Sequence, residues 1–221
     1  MDNEKYKTEV IKDNNVKNNL FAKVEVIGDV QVGKTAIVKR LIQDKFITEY
    51  TPTQGYEFTP YLIQVNETII KLQIWDMCGA ENYRSVLLNL YRNSKVGVLV
   101  YDVTSRKSFE NLEDWITELK KSAYGGSKII LIGNKCDETE KREVSYKEGE
   151  EICKKHQLDF FMEVSAKNGF TSPNFMELVA INLVKDYESH LDESEDLADN
   201  NNESVMLDQK NNNSNSLDKC C

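Results

Sequence analysis

Gly28-Asp29-Val30-Gln31-Val32-Gly33-Lys34-Thr35 is the stretch that decides how this chain is read. It fits the pattern G-x-x-x-x-G-K-[ST], a phosphate-binding loop. Two glycines let the backbone curl tightly enough to aim successive N–H groups at phosphate oxygens. The Lys34 ammonium can reach β- and γ-phosphates, and the Thr35 hydroxyl can coordinate Mg²⁺. The flanks agree. Phe21 to Ile27 alternates and is rich in β-branched residues, which predicts a strand. Ile37, Val38, Leu41 and Ile42 recur at helical spacing, with the pattern running to Phe46. A helix starting at the loop turns its positive end toward the same phosphates.

Composition bounds the rest. A chain of 221 residues, 40% hydrophobic, predicts one domain of moderate size plus tails. The net charge of −9 is concentrated: from Asp186 to Cys221 there are ten acidic residues and two lysines, leaving the remainder near −1. An acidic tail argues against nucleic acid as a partner and gives no electrostatic help at an anionic membrane. The five cysteines contain no C-x-x-C pair, so neither a zinc ribbon nor a thioredoxin-type site is indicated. An odd count in a chain without an apolar leader predicts reduced thiols in the cytosol. No apolar run is long enough to span a bilayer. His156 and His190 fall in no metal or nucleophile pattern.

Read in order, residues 1 to about 19 are polar and Asn/Lys-rich and predict a flexible arm. Residues 47 to 56 form a loop. Glu57 to Val65 and Thr68 to Trp75 predict a hairpin around Asn66-Glu67, with Pro60 marking the first strand as an edge. Gly97 to Val103 and Lys128 to Gly133 are buried-strand runs, and Phe160 to Val164 is another strand. Phe109, Leu112, Trp115, Ile116 and Leu119 mark an amphipathic helix; Glu143 to His156 and Asn174 to Tyr187 are two more. The expectation is an α/β fold: a doubly wound, mostly parallel six-stranded sheet, helices on both faces, one antiparallel edge strand. In such sheets ligands bind beyond the carboxyl ends of the strands.

Further motifs fall at those ends. Asn134-Lys135-Cys136-Asp137 follows one strand. The Asp137 carboxylate can accept the ring and exocyclic N–H groups of guanine, a donor pair that adenine lacks. The Lys135 stem can lie on the base, and Asn134 can tie the loop together. Ser165-Ala166-Lys167 follows the last strand and can offer backbone N–H groups to the guanine carbonyl. Asp76, in Trp75-Asp76-Met77-Cys78-Gly79, can hold the Mg²⁺ shell.

Over roughly residues 20 to 188 the chain resembles the small GTPases of the Ras superfamily, most closely the Rab branch. The phosphate loop, Thr53, Asp76-x-x-Gly79, Asn134-Lys135-x-Asp137 and Ser165-Ala166-Lys167 occur in that family's order and spacing. Gly55-Tyr56-Glu57-Phe58 resembles a Rab signature, as do Tyr91-Arg92 and the final Cys220-Cys221. The resemblance implies a P-loop small G-protein fold over 20–188 that binds GTP and GDP with Mg²⁺. Residues Gly28 to Ala36, Phe46, Tyr50, Thr53, Gly79, Asn134, Lys135, Asp137 and Ser165 to Lys167 would hold the nucleotide. Thr35, Thr53 and Asp76 would hold the metal, and Lys34, Thr53 and the Gly79 amide would serve the chemistry. Effectors would dock through the switch regions and Phe58/Trp75. The third position of that aromatic triad is Leu90, a departure. An exchange factor, an activating protein and a prenyl-binding chaperone are further implied partners of a monomeric protein.

Other departures bear on hydrolysis. The family's water-positioning glutamine is Ala80, Val30 stands where Gly or Ser is usual, and Gln31 where Gly is usual. Gln54 follows Thr53 in place of an apolar residue. Two substitutions thus converge on the hydrolysis step. The terminal Cys220 and Cys221 are expected to carry a lipid each, since one chain anchors marginally and two anchor stably. The acidic stretch 189–218 would be a solvated tether. The reading is a membrane-anchored GTP/GDP switch in vesicle traffic with weak intrinsic hydrolysis, on the cytoplasmic face of an intracellular membrane and cycling with the cytosol. The alternative is a non-cycling, largely GTP-bound scaffold. An ATP-dependent kinase is disfavoured by the guanine motif.

Overall fold

A computed structural model describes residues 6–12, 17, 19–49, 51–79, 94–122, 127–169 and 174–189. The strands are β1 (Thr8–Ile11), β2 (Leu20–Ile27), β3 (Tyr56–Val65), β4 (Thr68–Met77), β5 (Val96–Asp102), β6 (Lys128–Asn134) and β7 (Phe160–Val164). The helices are α1 (Lys34–Gln43), α2 (Arg106–Glu110), α3 (Leu112–Ser122), α4 (Tyr146–Lys155) and α5 (175–189). One sheet runs in the order β1-β3-β4-β2-β5-β6-β7.

The strand periodicity explains the two-sided core. Along β2, Ala22, Val24 and Val26 face one side and pack with Ile37 and Val38 of α1 and with Phe175, Met176, Val179, Ala180 and Val184 of α5. Ile27 faces the other, with Leu99, Tyr101 and Leu131, under Trp115, Ile116 and Leu119 of α3 and Ile152 of α4. Each such aliphatic side chain taken out of water contributes about 1.5–3 kcal/mol. Ser145 starts α4 with a reciprocal capping box to Glu148, an arrangement whose loss costs about 1 kcal/mol.

Two expectations need correction. Among the described residues the sheet has seven strands, not six, because Thr8–Ile11 in the arm pairs antiparallel with β3, from Thr8↔Val65 to Ile11↔Leu62. Its four residues include three β-branched ones, but Asn- and Lys-rich flanks hide the pattern. The strand is fastened at its start. Lys7 and Asn66 exchange two hydrogen bonds, at 3.0 and 2.9 Å. The Tyr6 hydroxyl donates to Glu188 Oε2 of α5 at 3.1 Å. Consequently β3 is the second strand, not the edge. The antiparallel edge strand is β1, and β3 alone runs against the direction of the other described strands. Pro60 lies just past the last β1 partner, Leu62, on the half of β3 that β1 leaves uncovered, so its missing donor interrupts no β1–β3 pair.

The parallel strands end together. Val26 stands beside Asp76, Ile27 beside Leu99, Asp102 beside Asn134 and Asn134 beside Val164. β2 is the switch point: the chain runs from it to β3 and β4 on one side, then crosses from β4 to β5 on the other. The crevice beyond its carboxyl end is where a doubly wound sheet places a ligand.

Candidate nucleotide-binding site

The loop between β2 and α1 closes on itself. Lys34 Nζ donates to the carbonyls of Gly28 at 2.9 Å and Asp29 at 2.7 Å. Its burial lowers the ammonium pKa to about 8, and the nearby Asp76 and Asp29 carboxylates oppose that shift. Gly33, at the start of α1, has φ 95°. A Cβ there would stand 2.2 Å from Asn134 Nδ2, so neither backbone nor space accepts a side chain. Gln31 also sits in the left-handed region, at φ 65°. That backbone explains why glycine suits the position and why glutamine there is strained.

At the phosphate end, three oxygen-bearing side chains meet. The Thr35 and Thr53 hydroxyls are 2.8 Å apart, and Thr35 donates to Asp76 Oδ2 at 2.5 Å. Asp76 is 2% exposed. Burial raises its carboxyl pKa to about 6 against the opposing effects of the Thr35 bond and Lys34. Its Oδ1 is buried and has no hydrogen-bond partner. A buried carboxylate oxygen left unpaired beside two hydroxyls fits a hard cation, which takes oxygen ligands of this kind. Gly79 lies against the phosphate loop: a Cβ there would be 2.5 Å from Val30 N.

At the other end, Asn134 Nδ2 donates to Val32 O at 2.8 Å and its Oδ1 accepts from Ala166 N at 3.3 Å. Asn134 therefore joins the phosphate loop to the loop after β7. Lys135 adopts φ 65°, and its ammonium is 2.5 Å from Asp102 Oδ2. The Asp137 side chain is 8% exposed, with Lys167 Nζ 3.7 Å away. Ser165 Oγ accepts from Asn168 N at 2.9 Å, so its hydroxyl shapes the loop.

These groups enclose a cleft of about 500 Å³. Val30, Gln31, Gly33, Lys34, Thr35, Ala36, Thr53 and Gly79 line its phosphate end. Phe46, Asn134, Lys135, Asp137, Ala166 and Lys167 line the other end. Gly28, Asp29, Val32, Asp76 and Ser165 are not among the lining residues. Val30 is 49% exposed. Tyr50, Ala80, Leu90, Tyr91, Arg92, Cys220 and Cys221 lie outside the described residues, as does most of the acidic tail. Phe58 packs against Trp75 at a tilt, 5.4 Å between ring centroids, and Tyr56 flanks the same ring at 5.0 Å.

Sequence reasoning missed the residues that hold the loops from behind. Asp29 accepts from Asn111 Nδ2 at 2.6 Å and from Trp115 Nε1 at 2.8 Å. Asp102 fixes Lys135. Arg40 of α1 bonds the carbonyls of Ala166 and Lys167, at 2.8 and 2.7 Å. Acidic and basic residues at the ends of buried strands were the available signal for Asp102; a helix arginine carries none.

A switch-point crevice with a phosphate loop, a hydroxyl–carboxylate cluster and an Asn-Lys-x-Asp loop defines the P-loop small G-protein fold. The chain belongs to the Ras family, whose pattern it matches over residues 23–185. It is 38% identical to Ras-related protein Rab-13 of Rattus norvegicus over 151 residues, which is 68% of this chain and 73% of that one. It is 41% identical to Ras-related protein Rab-4 of Dictyostelium discoideum over 149 residues, covering 67% and 72%. With Ras-related protein SEC4 of Candida albicans it shares 34% identity over 204 residues, covering 92% and 95%. Among the described residues no helix is long and apolar enough to cross a membrane.

Proposed function

We propose that this protein is a Rab-like switch that binds GTP and GDP with Mg²⁺ and recruits effectors in vesicle traffic. Its membrane attachment is through lipids on Cys220 and Cys221, and its intrinsic hydrolysis is weak. The observation that carries the reading is the unpaired Asp76 Oδ1, buried beside Thr35 and Thr53 at the end of the cleft that Lys34 enters. Thr35, Thr53 and Asp76 would hold the metal. Bound there, Mg²⁺ would neutralise phosphate charge.

The chain's own groups do the rest. Loop N–H groups and Lys34 bind the phosphates, Asp137 takes the guanine N–H pair, and Phe46 packs on the base. The amides after β7 face the guanine carbonyl, and the Gly79 amide meets the γ-phosphate. Phe58 and Trp75 offer effectors an aromatic surface, with Tyr56 beside them. Exchange, activating and prenyl-binding partners belong to this reading, with the protein a monomer moving between cytosol and an intracellular membrane.

A second reading is a GTP-bound scaffold that does not cycle. It is favoured by Val30, whose branched side chain stands half-exposed on the cleft wall where a water-positioning group would approach, and by the alanine at position 80. The test is the nucleotide released from freshly purified protein. Guanine nucleotide in near-stoichiometric amount supports the family reading. Mixed GDP and GTP identifies a cycling switch, nearly pure GTP a scaffold. ATP or no nucleotide overturns both.

A further inference from the structure

We infer that Arg40 is a positioning residue that sets the width of the purine slot. It touches no nucleotide atom itself, and the inference rests on the guanine-nucleotide reading above. One guanidinium spans two segments on either side of the slot. Its Nε and Nη2 donate to the carbonyls of Ala166 and Lys167, at 2.8 and 2.7 Å. Its Nη1 donates to the Asp44 carbonyl at 2.9 Å and to Asp44 Oδ1 at 3.1 Å. Asp44 caps α1 in the left-handed conformation, φ 51°, and Phe46 follows two residues later. Arg40 thus ties the loop that faces the base edge to the turn that launches the ring lying on the base.

The tie continues inward. Ala166 N donates to Asn134 Oδ1, and Asn134 Nδ2 donates to Val32 O. A chain of hydrogen bonds therefore runs from the α1 turn through the guanine-facing loop to the phosphate loop. The Arg40 side chain is only 14% exposed, whereas its Asp44 partner is 93% exposed. The carbonyls, more than the exposed carboxylate, hold it. Four bonds from a planar, always-charged fork fix relative orientation in a way that a single ammonium cannot.

The experiment follows release of fluorescently labelled GDP from the full chain, with excess Mg²⁺ and with EDTA, for the parent, Arg40→Ala, Arg40→Lys and Asp44→Ala. Binding of 6-thioguanosine diphosphate, which replaces the 6-position oxygen by a larger and weaker acceptor, is measured alongside. Arg40→Ala should release GDP about tenfold faster. Its preference for GDP over the thio analogue should shrink. The acceleration by EDTA should stay at the parental factor, because Thr35, Thr53 and Asp76 lie at the other end of the cleft. Arg40→Lys should fall between, and Asp44→Ala should change release by about threefold or less, since the carbonyl remains.

Parental release rates in Arg40→Ala overturn the inference. So does faster release with an unchanged base preference and an altered EDTA factor, which is what general loosening produces. Should Arg40→Ala not fold, Arg40→Lys decides: parental release and base preference in it overturn the inference. A parent that retains no guanine nucleotide overturns the functional reading and this inference with it. A parent that binds GDP beside an unaffected Arg40→Ala removes this inference alone.

Discussion

Trp115 Nε1 donates to Asp29 Oδ1 at 2.8 Å, joining residues 86 positions apart. Asn111 Nδ2 reaches the other carboxylate oxygen at 2.6 Å. The second residue of the phosphate loop is thereby fixed from behind by the start of α3. Both of its carboxylate oxygens are engaged there. Asp29→Ala should leave two donors without their acceptor, one of them on a buried ring. The expected loss is about 2 kcal/mol or more, which lowers the melting temperature by roughly 4–8 °C in a chain of this size. Thermal melts of the nucleotide-loaded parent and variant check this; equal midpoints would show the contact to be dispensable.

Base choice should rest on Asp137, which lines the cleft with its side chain 8% exposed. Asp137→Asn replaces an acceptor by a donor toward the guanine N–H pair, and xanthine presents the complementary pattern. Unmatched buried polar groups cost about 1–3 kcal/mol each, so GTP affinity should fall roughly tenfold or more while XTP affinity rises. Competition binding with the two nucleotides measures both. A variant that binds GTP as tightly as the parent would remove Asp137 from the base site.

Much of this was legible in the chain, for a physical reason. Buried parallel strands such as Val96–Asp102 and Lys128–Asn134 are continuous apolar runs, and Phe160–Val164 carries its own boundaries. Backbone-shaping motifs such as Gly33-Lys34-Thr35 act within a few residues of themselves, so spacing reveals them. What escaped acts across the fold. Trp115 reads as one more apolar position of an amphipathic helix, and nothing in its spacing shows that its N–H reaches Asp29. Arg40 reads as a solvated helix charge. Thr8–Ile11 is too short and too polar at its flanks to stand out, and only the β3 edge makes it a strand. Gln31 is legible as unusual, but the reason, a left-handed φ of 65°, belongs to the backbone.

Acid should weaken the contact between α2 and α4. Arg106 Nη1 lies 2.5 Å from Glu148 Oε1. The Arg106 bond, then the Ser145 cap, hold the Glu148 carboxyl down to about 2 from its ordinary 4.5. A carboxyl lowered by folding stabilises the native state fully above its unfolded value and loses that contribution as pH falls through the folded one. The window is therefore pH 4.5 down to about 2. Both side chains are more than a third exposed, so the effect is modest and salt-sensitive. Glu148→Gln should melt below the parent at pH 7, and the gap should close as pH drops through that window. A gap independent of pH would show that the Glu148 charge is not what stabilises the contact.

Membrane association should require the two terminal cysteines. Cys220→Ser with Cys221→Ser should leave the chain in the soluble fraction, because the acidic tail has no polybasic patch to supply a second signal. Either single variant should anchor weakly and reversibly. Fractionation of cells expressing the three variants reads this directly, and parental membrane recovery of the double variant would point to another anchor.

Intrinsic GTP hydrolysis should be very slow. The transition state is reached by holding a water in line with the γ-phosphoryl group and stabilising the charge that develops on it. Lys34 lines the cleft, and Thr35, Thr53 and Asp76 meet at its phosphate end; on the proposed reading these are the charge-stabilising groups. On the proposed reading the water-holding group is missing. Position 80 is alanine, with no polar atom to orient anything. Val30 is half-exposed on the cleft wall, and on the proposed reading its branched side chain would crowd such a group. Restoring Ala80→Gln alone should therefore rescue only partly, and Ala80→Gln with Val30→Gly should rescue more. Nucleotide affinity is measured alongside, since Val30 lines the phosphate end of the cleft and a change there can alter binding as well as hydrolysis. An activating partner that inserts both an arginine and a glutamine can replace the missing group in trans, although Val30 should hinder its entry. Val30→Gly alone should then sharpen the response to that partner more than it changes the unassisted rate. Single-turnover hydrolysis by purified protein with Mg²⁺ is the deciding measurement. A parental rate equal to that of the double variant would show that neither position limits the reaction.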